Sequence, residues 1–100
     1  MICVPIIGPS VSKAQEQIAS ASAVADILEL RLDLIDPPDL NILLDSANLP
    51  VIVTNRSKLD GGQFKGSDED RLQPLRDALK AGVDYVDIEV STPREYLQPF

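Results

Sequence analysis

Four β-type runs, each followed by a stretch with helical spacing, constrain the fold of this chain more than any other feature. The first, ICVPII (residues 2–7), is rich in β-branched residues and stops at Gly8 and Pro9. Ser10 and Ser12 then offer N-caps for a helix through KAQEQIASASA, with Val11, Ile18 and Val24 among its apolar positions. The second run is DILELRLDLI (26–35), stopped by Asp36, Pro37 and Pro38, and the short helix DLNILLDSA after it has Leu40, Leu43 and Leu44 on one face. The third is VIVTNR (51–56). A long stretch without a core pattern, SKLDGGQFKGSDED, leads to a helix entered from Ser67 and stopped at Gly82, with Pro74 close to its beginning. The fourth run, DYVDIEV (84–90), passes into STPREYLQPF, where a further helix begins. Each connection is long enough for a crossover, so the alternation predicts parallel βα units.

Within the second run, ELRLD sets Glu29, Arg31 and Asp33 against Leu28, Leu30, Leu32 and Leu34 in strict alternation. Side chains on a strand alternate between faces, so one face is aliphatic and the other charged. On periodicity alone the simpler reading is an antiparallel strand with its charged face in water. Parallel sheets, however, are normally covered on both faces. A doubly wound sheet would want a second apolar face, whereas a (β/α) barrel packs one face of each strand on helices and turns the other inward, with polar groups at the C-terminal strand ends. DYVDIEV sends Val86, Ile88 and Val90 one way and Asp87 and Glu89 the other, and VIVTNR puts Thr54 and Arg56 on one face. The expected fold is therefore α/β of the TIM-barrel type. With only 100 residues, below the size at which such barrels usually close, residues 1–100 are expected to comprise about four βα units, a half-barrel and so an incomplete domain.

Charge and composition narrow the function classes. The net charge of −7 argues against nucleic acid as a partner, because phosphate binding needs a basic face. Arg56, Lys58, Lys65 and Arg71 nevertheless fall close together and could draw in an anionic small molecule. No run approaches the roughly 18 apolar residues of a membrane span, and MICVPIIGP has no basic region before its apolar run. The expectation is a cytoplasmic protein without membrane contact. The single cysteine, Cys3, lies in an apolar run and is expected to be a buried, inert thiol. There is no histidine, so a His-based metal site, triad or proton shuttle cannot be built from these residues, and no cofactor is expected.

Glu29, Arg31, Arg56, Asp87 and Glu89 would converge at the mouth of such a barrel, where they could neutralise one another and still offer charged donors to a carboxylate or polyol. The run ELRLD, the pair NR followed by LDGGQF, and the strand VDIEV, in this order and at these separations, resemble the amino-terminal half of a type I 3-dehydroquinate dehydratase of the shikimate pathway. The resemblance implies a (β/α) barrel lyase that converts 3-dehydroquinate to 3-dehydroshikimate through a Schiff base on a lysine. It further implies that Glu29, Arg31 and Arg56 hold the substrate and that Asp87 and Glu89 support the site. Asp60 stands where the bacterial motif has glutamate, a residue that helps orient the catalytic histidine, and its side chain is shorter. Pro5 stands where some members have a polar residue, and no binding role is assigned to it.

The family's Schiff-base lysine and its histidine acid/base belong to later strands, beyond Phe100. Lys13, Lys58, Lys65 and Lys80 fall on predicted helices or loops, so surface lysine is the better reading for all four. These residues thus read as the binding half of an enzyme whose full-length parent could be a homodimer, and the segment alone is expected to be inactive. The competing reading is a non-catalytic, self-associating half-barrel that binds a small hydroxy acid. A phosphate-handling barrel is disfavoured, because no Gly-rich loop runs from a strand directly into a helix N-terminus.

Overall fold

In a computed structural model, which describes residues 1–89, 92 and 94–96, the four β-type runs form one sheet of parallel strands in the order β1-β2-β3-β4. The strands are β1 (Cys3–Ile6), β2 (Ile27–Arg31), β3 (Val51–Thr54) and β4 (Tyr85–Asp87), joined by helices α1 (Val11–Ala21), α2 (Leu40–Ser46) and α3 (Asp68–Lys80). A strand order that never reverses is not that of a doubly wound sheet, whose order changes direction at a switch point.

The register explains the burial. Val4 lies beside Leu28 and Leu28 beside Val51, while Ile6, Leu30, Val53 and Val86 form the next row on the same face. Ile6, Leu28, Leu30 and Val53 are wholly buried there and share one core with Ala14 and Ile18 of α1, Leu43 of α2 and Leu72 and Leu75 of α3. All three helices therefore cover one face. On the other face Cys3, Ile27, Pro5, Glu29, Ile52, Arg31, Thr54, Tyr85 and Asp87 succeed one another by register, and among the described residues no helix covers them. Tyr85 is 58% exposed as a result.

Local chemistry fixes the helix ends. Ser10 Oγ accepts from Lys13 N, Asp39 Oδ1 from Ile42 N and Ser67 Oγ from Asp70 N, so each helix has a side-chain N-cap. α3 places Asp68, Glu69 and Asp70 in its first turn and Lys80 in its last, both favourable to the helix dipole. It stops where Gly82 takes φ +91° and Val83 N returns to Ala78 O, a glycine-terminated C-cap.

Five expectations are corrected. β2 ends at Arg31, because Leu34 N donates to Arg31 O and closes a turn, so the ELRLD alternation outlasts the strand by two residues. β4 is likewise only Tyr85–Asp87, which leaves Glu89 beyond the ladder, and Val90 lies outside the described residues. Cys3 is exposed rather than buried, because it faces the uncovered side of edge strand β1. Partial desolvation and the nearby negative charge of Glu29 raise its thiol pKa, so it gains no thiolate character. Val24 lies past the end of α1 and is 64% exposed. Of the last expected helix, the described part is a 3-10 turn at Arg94–Tyr96, and the remainder lies outside the described residues.

Candidate functional site

At the C-terminal ends of β2, β3 and β4 the register aligns Arg31, Thr54 and Asp87 in one row on the uncovered face, with Glu29 one row below. Parallel strands all end at the same edge, so residues from three distant segments meet there. Glu29 Oε2 accepts a hydrogen bond from Thr54 Oγ1 at 2.9 Å, which ties the β2 carboxylate to β3. Arg31 turns to Asp33 instead of Glu29: Nε donates to Oδ1 at 3.1 Å and Nη2 to Oδ2 at 2.8 Å. This is a two-donor guanidinium–carboxylate pair, the strongest form of such a contact. Nη1 has no protein acceptor among the described residues.

Asp33 carries no site role in the sequence reading, although it closes the ELRLD run, and the structure makes it central. Its side chain is fully buried, and Oδ2 also accepts from Gln63 N at 3.1 Å. Burial alone would raise its pKa. The Arg31 donors and the backbone groups of Gln63 and Arg56 outweigh that and hold the carboxyl below its ordinary value. Arg31 is raised further by the same pair and by the charges of Glu29 and Asp87, against desolvation.

Arg56 follows β3 and reaches Asp87 Oδ2 through Nη2 at 3.5 Å, with both side chains about two-fifths exposed (41% and 42%). Such a loose, hydrated pair contributes little to stability and leaves the guanidinium able to take another acceptor. Its Nε is buried without a partner among the described residues. Its backbone is clamped: Phe64 N donates to Arg56 O, and Gly62 lies so close that a Cβ there would overlap that carbonyl. The second glycine of DGG thus lets residues 57–66 fold back onto the strand end, while Gly61 takes φ +89° at the turn.

The other two expected site residues sit apart from this cluster. Asp60, in the 3-10 turn Lys58–Asp60, is exposed and accepts from Ser57 Oγ at 2.9 Å. Glu89 is buried beneath the same loop, where Oε1 accepts from Ser57 N at 2.9 Å and Oε2 lies 3.1 Å from Arg71 Nη1. That ion pair is close, but its angle is not that of a hydrogen bond. Arg71 is only 2% exposed and donates to Thr92 Oγ1 at 3.0 Å, so it does not belong to a surface basic patch. Only the buried position of residue 71 on α3 could have revealed this role, and a lone arginine in a charged stretch gives no such signal.

The cluster thus offers two guanidinium groups with free donors beside the Glu29 and Asp87 carboxylates, a surface suited to a hydroxylated acid. Lys13, Lys58, Lys65 and Lys80 are all exposed and none is on a strand. No group of three or more His, Cys, Asp or Glu side chains among the described residues is arranged to hold a metal ion. No helix among them is long and apolar enough to cross a membrane.

Comparison with known proteins agrees with this geometry. The family model described as type I 3-dehydroquinase matches residues 2–99. The 3-dehydroquinate dehydratase of Methanothermobacter thermautotrophicus is 42% identical over 97% of this chain and 45% of its own length. The chloroplastic bifunctional 3-dehydroquinate dehydratase/shikimate dehydrogenase of Arabidopsis thaliana is 32% identical over 98% of this chain and 17% of its own. Among solved structures, a type I 3-dehydroquinate dehydratase from Clostridium difficile, crystallised with covalently modified comenic acid, superposes with a TM-score of 0.87 at 25% identity. That match covers 98% of this chain and 43% of the other. The chain spans less than half the length of these relatives. With its parallel four-stranded sheet and the ELRLD, NR–LDGG and VDIE segments on one sheet edge, the chain belongs to the type I 3-dehydroquinase family.

Proposed function

We propose that this chain is the amino-terminal half of a (β/α)8 barrel and supplies the substrate-binding face of a type I 3-dehydroquinate dehydratase acting in the cytoplasm. The observation that carries the reading is the row of Arg31, Thr54 and Asp87, with Glu29 and Arg56 adjacent, on the helix-free face at the C-terminal strand edge. In barrels that face is the interior and that edge the mouth of the active site. Strand order, helices on a single face, and apolar side chains left open on the other all fit a sheet meant to close on a second half.

In this assignment Arg31 Nη1 and the Arg56 guanidinium grip the carboxylate and hydroxyls of 3-dehydroquinate. Glu29, held by Thr54, accepts from a substrate hydroxyl, and Asp87 keeps Arg56 extended toward the mouth. Asp60 and Glu89 act through the loop between Ser57 and Gly66, which they fasten. The covalent chemistry belongs to the carboxy-terminal half: a desolvated lysine that forms the imine and a histidine that removes the adjacent proton, as the family resemblance implies. Both groups need pKa values near the working pH, and neither exposed lysines nor carboxylates committed to arginine meet that need. Binding by the present half brings the ketone to the amine, and positioning without a nucleophile leaves the main barrier in place.

The test is to follow enone formation from 3-dehydroquinate by the full-length protein carrying this segment, then add borohydride. The expected result is turnover, with substrate-dependent inactivation and an adduct on a lysine outside residues 1–100. Absence of turnover, or an adduct on Lys13, Lys58, Lys65 or Lys80, would overturn the assignment.

A further inference from the structure

Asp33 lies past the end of β2 and still points back over it. The turn that follows the strand is closed by Leu34 N to Arg31 O, while Leu32 N stays bound to Thr54 O. Residue 33 thus sits in the turn where its carboxylate reaches both Arg31, two residues earlier, and the far end of the loop after β3. It does both at once: Oδ1 takes Arg31 Nε, and Oδ2 takes Arg31 Nη2 and Gln63 N. No other carboxylate competes for Arg31 through a hydrogen bond among the described residues. Glu29 is bound to Thr54 and Asp87 faces Arg56.

We propose that Asp33 is a positioning residue of the ligand site, fixing the Arg31 guanidinium by its Nε–Nη2 edge and anchoring the Gln63 end of the loop beside it. Holding that edge of a planar guanidinium sets the direction of its remaining nitrogen. The donor offered to a ligand, Nη1, is thereby pre-organised, which lowers the ordering cost of binding. Because Oδ2 is shared, the donor and the loop that borders the site are fixed by one atom. Its Arg31 and backbone donors, acting against the opposing effect of burial, hold the pKa low and keep this carboxylate ionised throughout the neutral range. Glu89 makes a useful contrast, since it fastens the Ser57 end of the same loop without touching Arg31.

The proposal rests on the dehydratase assignment for its ligand, and the experiment separates the two. In the full-length protein, Asp33→Asn keeps the shape but loses the charge and one acceptor. KM for 3-dehydroquinate should rise about tenfold or more with kcat within about threefold, as expected when an orienting partner is lost. Glu89→Gln should leave the Arg31 Nε–H signal in 1H–15N spectra unchanged, whereas Asp33→Asn should abolish its protection from exchange. Adding Asp33→Asn to Arg31→Ala should cost little more, because the groups act as a unit. An unchanged KM in Asp33→Asn, or a full additional penalty in the double variant, would overturn the proposal. If the unmutated protein does not turn over 3-dehydroquinate, the dehydratase reading fails. Asp33 is then judged by the Arg31 Nε–H alone, whose lack of protection in the unmutated protein refutes the role. The same measurement decides the matter if Asp33→Asn does not fold.

Discussion

Replacing Arg71 by methionine should be the most damaging single change in the region that carries the site. The guanidinium is 2% exposed and lies 3.1 Å from Glu89 Oε2, whose side chain is 7% exposed. At an effective dielectric of about 20, two unit charges at that separation attract by about 5 kcal/mol. Desolvation offsets part of that attraction in the intact pair, but Arg71→Met removes the attraction and leaves Glu89 desolvated. Ser57 N would be its one remaining hydrogen-bond donor among the described residues. Breaking one partner of a buried pair typically costs about 3–5 kcal/mol, and the lost hydrogen bond to Thr92 adds to it. We expect about 3–4 kcal/mol, a large share of the roughly 5–15 kcal/mol that holds a domain together. Equilibrium urea unfolding measures this directly: with a slope of about 1–3 kcal/mol per M, the midpoint should fall by at least about 1 M. Glu89→Gln should recover part of the loss when combined with Arg71→Met, because it removes the stranded charge. A midpoint for Arg71→Met within about 0.3 M of the parent, or strictly additive losses in the double variant, would refute this reasoning.

Under the proposed assignment, Arg56→Lys in the full-length protein, which keeps the charge but loses the planar two-donor geometry, should weaken binding of 3-dehydroquinate in a steady-state or calorimetric assay; unchanged affinity would remove Arg56 from the site. Gly62→Ala should destabilise the protein by about 1–3 kcal/mol in the same urea assay, because its Cβ would lie 2.6 Å from the Arg56 carbonyl carbon. A neutral effect would mean that the loop does not rest on the strand end. The Asp33 carboxyl is held below its unfolded value, so its stabilisation is complete above about pH 4 and is lost as pH falls through the lower folded value. The stability gap between the parent and Asp33→Asn, measured by unfolding at stepped pH, should be level near neutrality and close in acid; a gap that widens on acidification would contradict the sign. The isolated chain should associate at micromolar concentration, because β1 and β4 are open edges and Ile2, Ile7 and Tyr85 are exposed beside them. A monodisperse monomer in sedimentation would count against the half-barrel proposal.

The sequence by itself determined the order of the four strands and of the three α-helices between them, because alternation, caps and stops are local signals. Ser10, Asp39 and Ser67 cap the helices they precede, and Gly82 ends α3. It also determined which face of β2 carries Glu29 and Arg31 and which face of β4 carries Asp87, since a period of two needs no knowledge of neighbours. β1 has no such alternation, and Cys3 was placed only by the sheet. The partners of the charged side chains were decided only by tertiary structure. In sequence, Glu29, Arg31 and Asp33 are equivalent members of one alternating run. The turn after Arg31 takes Asp33 out of the strand and brings it back onto Arg31 and Gln63, and Glu29 is left to Thr54. Arg71 looked like one of several loop cations until the packing of α3 carried it under the sheet end to Glu89. Ion pairing depends on distances between segments tens of residues apart, fixed by strand register and crossover geometry. Only the assembled sheet contains that information.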